Sequence, residues 1–235
     1  MATARTVRAR MTPDGPDERS LATAELVGAL TYGQLRAFQV TANAIRCAPT
    51  IGLADELASF AIREHERYRQ LHEHLRSLTD LADRVIERQR NRFDEFFDSL
   101  SMDHWIEAVT FFAVGLPIAA DFTRAVAAAV PDDTARVLTD TLADRPGFER
   151  FANAQLVEAL ARGDAGEVER LRHLVADVVG RALTGFQAAV ADSDALRVLL
   201  EAEADRADVK TLAISVLNAH RDRMVALGLD ELEEG

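Results

Sequence analysis

Apolar residues recur every three or four positions along most of this chain, in runs long enough to wind several helical turns. The first stripe, Val27, Leu30, Gln34, Phe38, Thr41 and Ile45, predicts a helix from about Leu21 to Arg46, with Pro49 marking its end. A second, Leu53, Leu57, Phe60, Glu64, Arg67, Leu71, Leu75 and Leu78, predicts a helix from about Gly52 to Ser77. Leu81 to Leu100 form a shorter amphipathic segment. The stripe Trp105, Val109, Phe112, Leu116, Ala119, Thr123, Val126 and Val130 is the cleanest, and Ser101 or Asp103 is suited to cap its helix. Gly115 with Pro117 predicts a kink inside it.

Pro131, Asp132 and Asp133 open a further helix. It breaks around Arg145-Pro146-Gly147 and resumes through Phe148, Ala152, Leu156 and Leu160 until Gly163. Another helix covers Asp164 to Ala191, and two more cover about Asp194 to Arg206 and Asp208 to Leu227. Long helices in pairs with short turns, and an excursion at residues 79–101, describe an all-α four-helix bundle with an extra crossover helix. We place a disordered arm at 1–18, the bundle at 19–192, C-terminal helices packing on it at 193–228, and an acidic tail at 229–235.

One stripe is interrupted where it should be driest. Glu64 and Arg67 take two core-facing positions of the second helix, and burying either charge unpaired is very costly. Gln34 lies thirty residues before Glu64, a suitable span for two antiparallel neighbours. Three readings of this group stay open. It is an internal ion pair, capped by the Gln34 amide, that fixes helix register. Or Arg67 binds a small anionic or carboxylate-bearing molecule, with Gln34 and Tyr68 adding hydrogen bonds. Or Glu64 serves as a buried general base, although its Arg neighbour opposes the raised pKa that role needs.

Composition narrows the function classes. With 48% hydrophobic residues in 235, the chain buries a core. The net charge of −12, from 39 acidic and 27 basic residues, disfavours nucleic acid as a partner. Arg84, Arg88 and Arg92 form a basic strip, but Glu87, Asp94 and Glu95 dilute it and no aromatic platform interleaves it, so we read a solvated face or a subunit contact. No unbroken apolar run reaches about eighteen residues, so no membrane span is expected. Met1 to Arg10 is basic without an apolar stretch, unlike a secretory signal. The single cysteine, Cys47, fits a reducing cytoplasm. His65 and His72 stand too far apart to share an ion comfortably, and Glu169 with His173 lacks further ligands. Phosphate loops and nucleophile motifs are missing.

The segments "ELVGALTYGQLRAFQ", "EHERYRQLHEHL", "VGLPIAADF" and "LADRPGFERFA", in that order, resemble the actinobacterial ferritin-like proteins grouped with the MiaE-type tRNA hydroxylases, over roughly residues 20–190. The resemblance implies a ferritin-like bundle and, for the hydroxylases, a diiron centre. Such a centre takes one carboxylate from each of two helices and a carboxylate-x-x-His pair from each of the other two. The six histidines, His65, His72, His74, His104, His173 and His220, follow Ile62, Arg69, Leu71, Ser101, Arg170 and Leu217 by three residues, and none of these is acidic. Carried over, the ligand positions fall on Gln34, Glu64, Arg67, Leu116, Asp144 and Gly147, of which Glu64 and Asp144 alone could bind metal. The expectation is therefore a cytoplasmic, metal-free bundle without a cofactor, acting as a binding or scaffold protein. It would work as a homodimer or with a protein partner, and hold a small anion in the former active-site cavity. The alternative is a hydroxylase with an unconventional metal site around Glu64 and Asp144, or a metal-independent catalyst using Glu64 and Arg67.

Overall fold

A computed structural model describes residues 17–100, 102–191, 193–201 and 209–229. Residues 1–16 of the arm, Ser101 as a cap, the helix ends expected at Arg206 and Asp208, and residues 230–235 of the acidic tail lie outside the described residues, while Asp17 and Glu18, expected in the arm, cap and open the first helix. Helix α1 spans Glu18–Ala44, with Asp17 capping it by accepting the Ser20 N–H at 2.7 Å, and a 3₁₀ turn, Ile45–Cys47, ends it. Helix α2 spans Ile51–Leu78 behind the cap Thr50, whose hydroxyl accepts the Leu53 N–H. The two run as an antiparallel pair. Helix α3, Ala82–Asp98, crosses back over α1. It is fixed there by Arg36, which donates to Asp94 at 2.7 Å and Asp98 at 2.6 Å, and by the Tyr32 hydroxyl on Asp94. The basic strip on α3 is partly neutralised, since Arg88 pairs with Glu25 and Arg90 with Glu87.

Helix α4, Trp105–Thr110, continues through a π turn, Phe111–Gly115, into α5, Leu116–Val126. Asp103 does not cap α4 as expected. The residue before the helix is His104, and the Glu107 carboxylate reaches back to accept the N–H groups of Asp103 and His104, each at 3.1 Å. The kink expected at Gly115–Pro117 takes the form of the π turn. Pro117 has no N–H to return to the carbonyl four residues back, and the Leu116 N–H donates instead to Phe111 O, five back. Gly115 is required at this point. A Cβ there would lie 2.7 Å from the Phe111 ring and 3.1 Å from Val178. Gly115→Ala is thus expected to destabilise the protein by about 1–3 kcal/mol, measured by urea unfolding, through overpacking against Phe111 and the helix carrying Val178.

Helix α6 is Asp132–Asp140, α7 is Arg145–Arg162, and α8 is Ala165–Ala191. The break between α6 and α7 comes earlier than the sequence suggested. Turn residues 141–144 make it, and Arg145-Pro146-Gly147 form the first turn of α7. Proline is tolerated there because the N–H it lacks would have had no helical acceptor. Helices α9, Asp194–Glu201, and α10, Val209–Leu227, pack over the bundle, α9 against α1 and α10 against α5.

Among the described residues, one helical run, Trp105 to Ala129, bears on the membrane question. By length and composition this helical run is apolar enough to cross a bilayer. It is instead the bundle's central helix, with 78% of its most apolar window buried. Its neighbours supply the aromatic packing: Phe148 of α7 stacks on Phe60 of α2 with ring centres 4.5 Å apart and meets Phe112 at a tilt, 5.0 Å away.

The interior is divided lengthwise. One apolar cluster holds Leu57, Phe60, Phe112, Phe148, Leu156 and Val175, and another holds Leu26, Leu71, Ile118, Leu138, Phe186 and Leu199. Along α2 the step from the first cluster to the second passes through Glu64 and Arg67, and from α7 back to α6 it passes Arg145. Between them lies a charged layer.

Candidate functional site

The layer is built on Glu64, whose side chain has no exposed surface. Its Oε1 accepts from Arg67 Nη1 at 2.6 Å and faces Arg145 Nη1 at 3.1 Å. Its Oε2 accepts from Arg145 Nη2 at 3.2 Å and from Gln34 Nε2. Three hydrogen bonds and one further ion-pair contact thus engage both carboxylate oxygens. Gln34 is oriented by the same group, since its Oε1 accepts from Arg145 Nη2 at 3.1 Å and its amide also donates to the Glu64 carbonyl at 3.2 Å.

The two guanidiniums differ. Arg67 bridges inward to Glu64 and outward to Asp144, where Nε and Nη2 both reach Oδ1. Asp144 is half-exposed and also faces Arg63 at 3.5 Å. Arg145 sits wholly inside, 6% exposed, and binds Glu64 end-on. Its Nε–H is buried without a partner. Arg145 is also the first residue of α7, the helix end where the backbone dipole disfavours a cation. Burial pulls its guanidinium below the ordinary pKa, Glu64 opposes that shift, and the Arg67 charge adds to it. The ordinary value is so high that the group stays charged.

Beside the layer, a cavity of about 450 Å³ runs between α1, α3, α5, α8 and α9. Gln34, Thr141 and Arg145 line its polar wall beside the layer, and Leu26, Leu30, Phe93, Phe96, Leu116 and Phe186 are among its apolar lining residues. Its volume lies within the range of about 300–1,000 Å³ usual for small-molecule sites.

The structure thus gathers Gln34, Glu64 and Arg67, as their spacing suggested, and Asp144, as the resemblance implied. It adds Arg145, which the sequence reading had treated as part of a helix break. Tyr68 stands apart from the group: its ring lies against His65 at 5.9 Å and its hydroxyl is 3.4 Å from His72 Nδ1. Arg67 is committed to two carboxylates and is absent from the cavity wall, where Arg145 is the guanidinium present. The signal for Arg145 was its place next to Asp144 and one residue before a proline fit to start a helix. The surface histidines bind carboxylates, His72 to Asp83 at 2.8 Å and His173 to Glu169 at 3.3 Å.

A diiron pair does not fit this donor set. Both oxygens of the inward carboxylate are engaged by Arg67, Arg145 and Gln34, two fixed cations occupy the space beside it, and Leu116 and Gly147 offer no donor atom on their side chains. Among the described residues, no group of three or more His, Cys, Asp or Glu side chains is arranged to hold a metal ion.

Residues 17–203 match the sequence model of a family described as "Ferritin-like domain, actinomycetes". No curated protein matches the chain.

Proposed function

Because the chain belongs to the ferritin-like domain family of actinomycetes, we propose that it is a binding protein in which an ion cluster has replaced the family's metal chemistry. The single observation that carries this reading is the saturation of Glu64 by Arg67, Arg145 and Gln34. Those partners come from α1, α2 and the start of α7, so the cluster holds three elements in register as a bridging metal pair would. The correspondence of Gln34, Glu64, Arg67 and Asp144 with the ligand positions of MiaE-type proteins supports placing the chain beside that branch. Beside the cluster lies a partly open cavity with Arg145 and Gln34 on its wall, and a small acceptor-bearing or anionic molecule is the occupant it suits. We read the protein as cytoplasmic, in keeping with its one cysteine. The exposed Ile214, Leu217 and Val225 on α10 suit a second copy or another protein.

Metal analysis decides the first part of this reading. Protein produced in iron-supplemented medium and purified without chelator is expected to carry far less than one iron per chain. Close to two irons per chain would sink the proposal and favour a hydroxylase with an unconventional ligand set.

A further inference from the structure

We infer that the cavity takes a single-chain amphiphile, an aliphatic carboxylate whose head meets Arg145 and Gln34 and whose tail lies along α1, α5 and α8. This inference rests on the binding-protein reading and gives its ligand a chemical class.

Two features of the site set that class. The first is the head. Arg145 is nine-tenths buried and lines the cavity beside Gln34, so a charged guanidinium and an amide stand together on one stretch of its wall. Glu64 does not repel an incoming carboxylate strongly, because each of its oxygens is already covered by N–H groups. The first turn of α7 adds its positive dipole end at the same place.

The second is the body. Apart from Gln34, Arg145 and Thr141, whose hydroxyl is spent on the Leu138 carbonyl, the wall near the layer is apolar: Leu116, Ile118 and Ala120 from α5, and Phe93, Phe96 and Phe97 from α3. From Gln34 to Leu26 the cavity follows α1 for about 12 Å at the helical rise. Polar lining returns at Glu25, Gln89 and Arg92. A compact anion such as phosphate would leave this length empty. A flat polar ring would meet no hydrogen-bonding partner along it. An alkyl chain fills it without leaving a polar group dry.

The experiment is calorimetric titration of the full chain with n-alkanoates from acetate to dodecanoate, below their micelle concentrations, and with the methyl esters of the same acids. Affinity is expected to rise about fourfold per added methylene until the cavity is filled, then level off. Esters should bind at least tenfold more weakly than the acids, and Arg145→Met should bring the acids down to the level of the esters. Should Arg145→Met fail to fold, Ala119→Phe provides the check. Ala119 lines the cavity yet is exposed, so a larger side chain there shortens the best-binding chain without entering the core. Acetate binding as tightly as octanoate would overturn the amphiphile and leave the binding-protein reading standing. Acids and esters binding equally would overturn the carboxylate head. No binding by any probe, with the protein shown folded, would overturn both.

Discussion

Glu64→Ala is expected to cost about 3–5 kcal/mol of unfolding free energy, because it leaves two guanidiniums in a dry layer with their shared counter-charge removed. At roughly 2–4 °C per kcal/mol for a chain of this size, the midpoint should fall by about 6–20 °C. The size of the loss comes from what remains, not from what the ion pairs contribute. Arg67 retains Asp144 at the half-exposed edge, but Arg145 retains a single hydrogen-bond acceptor, the Gln34 side-chain oxygen, with Glu149 and Asp144 acting on it only through their charge. Replacing all three charges with apolar residues of similar volume, Glu64→Leu with Arg67→Met and Arg145→Met, should therefore recover most of the loss, as apolar replacements of buried ion clusters often do. Asp144 then keeps Arg63 and water. Urea unfolding of the single and triple variants checks both statements. A Glu64→Ala variant within about 1 kcal/mol of the parent would mean that water reaches the layer and that the cluster does not hold the three elements together.

That contrast also explains how much of the site could be read from the sequence. Glu64 and Arg67 were visible because they break an apolar stripe three residues apart on one helix, and such spacing survives folding unchanged. Gln34 was visible because an antiparallel pair joined by a short turn pairs residues symmetrically about that turn. Arg145 contacts Glu64 across 81 positions of sequence. No local period records that approach, and Pro146 reads equally as a break or as a first turn until one knows where the preceding helix ends. Tyr68 shows the opposite error. It lies four residues from Glu64, the spacing of side-chain neighbours on one face, but its ring leans toward His65 and His72 along the outer side of α2. The kink near Gly115 was legible from its residues. Its form as a π turn was not, because that depends on the Phe111 ring and on Val178 of α8 closing over the glycine.

The bundle carries a second buried charge, and it governs the C-terminal helix. Asp121 of α5 is 6% exposed, and its Oδ2 accepts from Arg223 Nη2 of α10 at 2.7 Å, while Oδ1 takes Arg124. Arg223 is itself 13% exposed, with Nη1 lacking a partner. Arg124 is half in solvent and gains little from the pair; Arg223 depends on it. Asp121→Ala is expected to cost about 3 kcal/mol, since it strands the Arg223 charge against α5. The effect should be uneven along the chain. The anchoring side chains of α10, Leu212, Val216, Met224 and Leu227, are apolar and stay in place only while the helix lies flat on α5. Hydrogen exchange of α10 amides should therefore quicken more than that of α1 or α2 in Asp121→Ala. Adding Arg223→Met should restore most of both stability and protection. If the double variant exchanges as fast as the single, the pair matters for more than its charge balance, and the polar contact itself fixes where α10 docks.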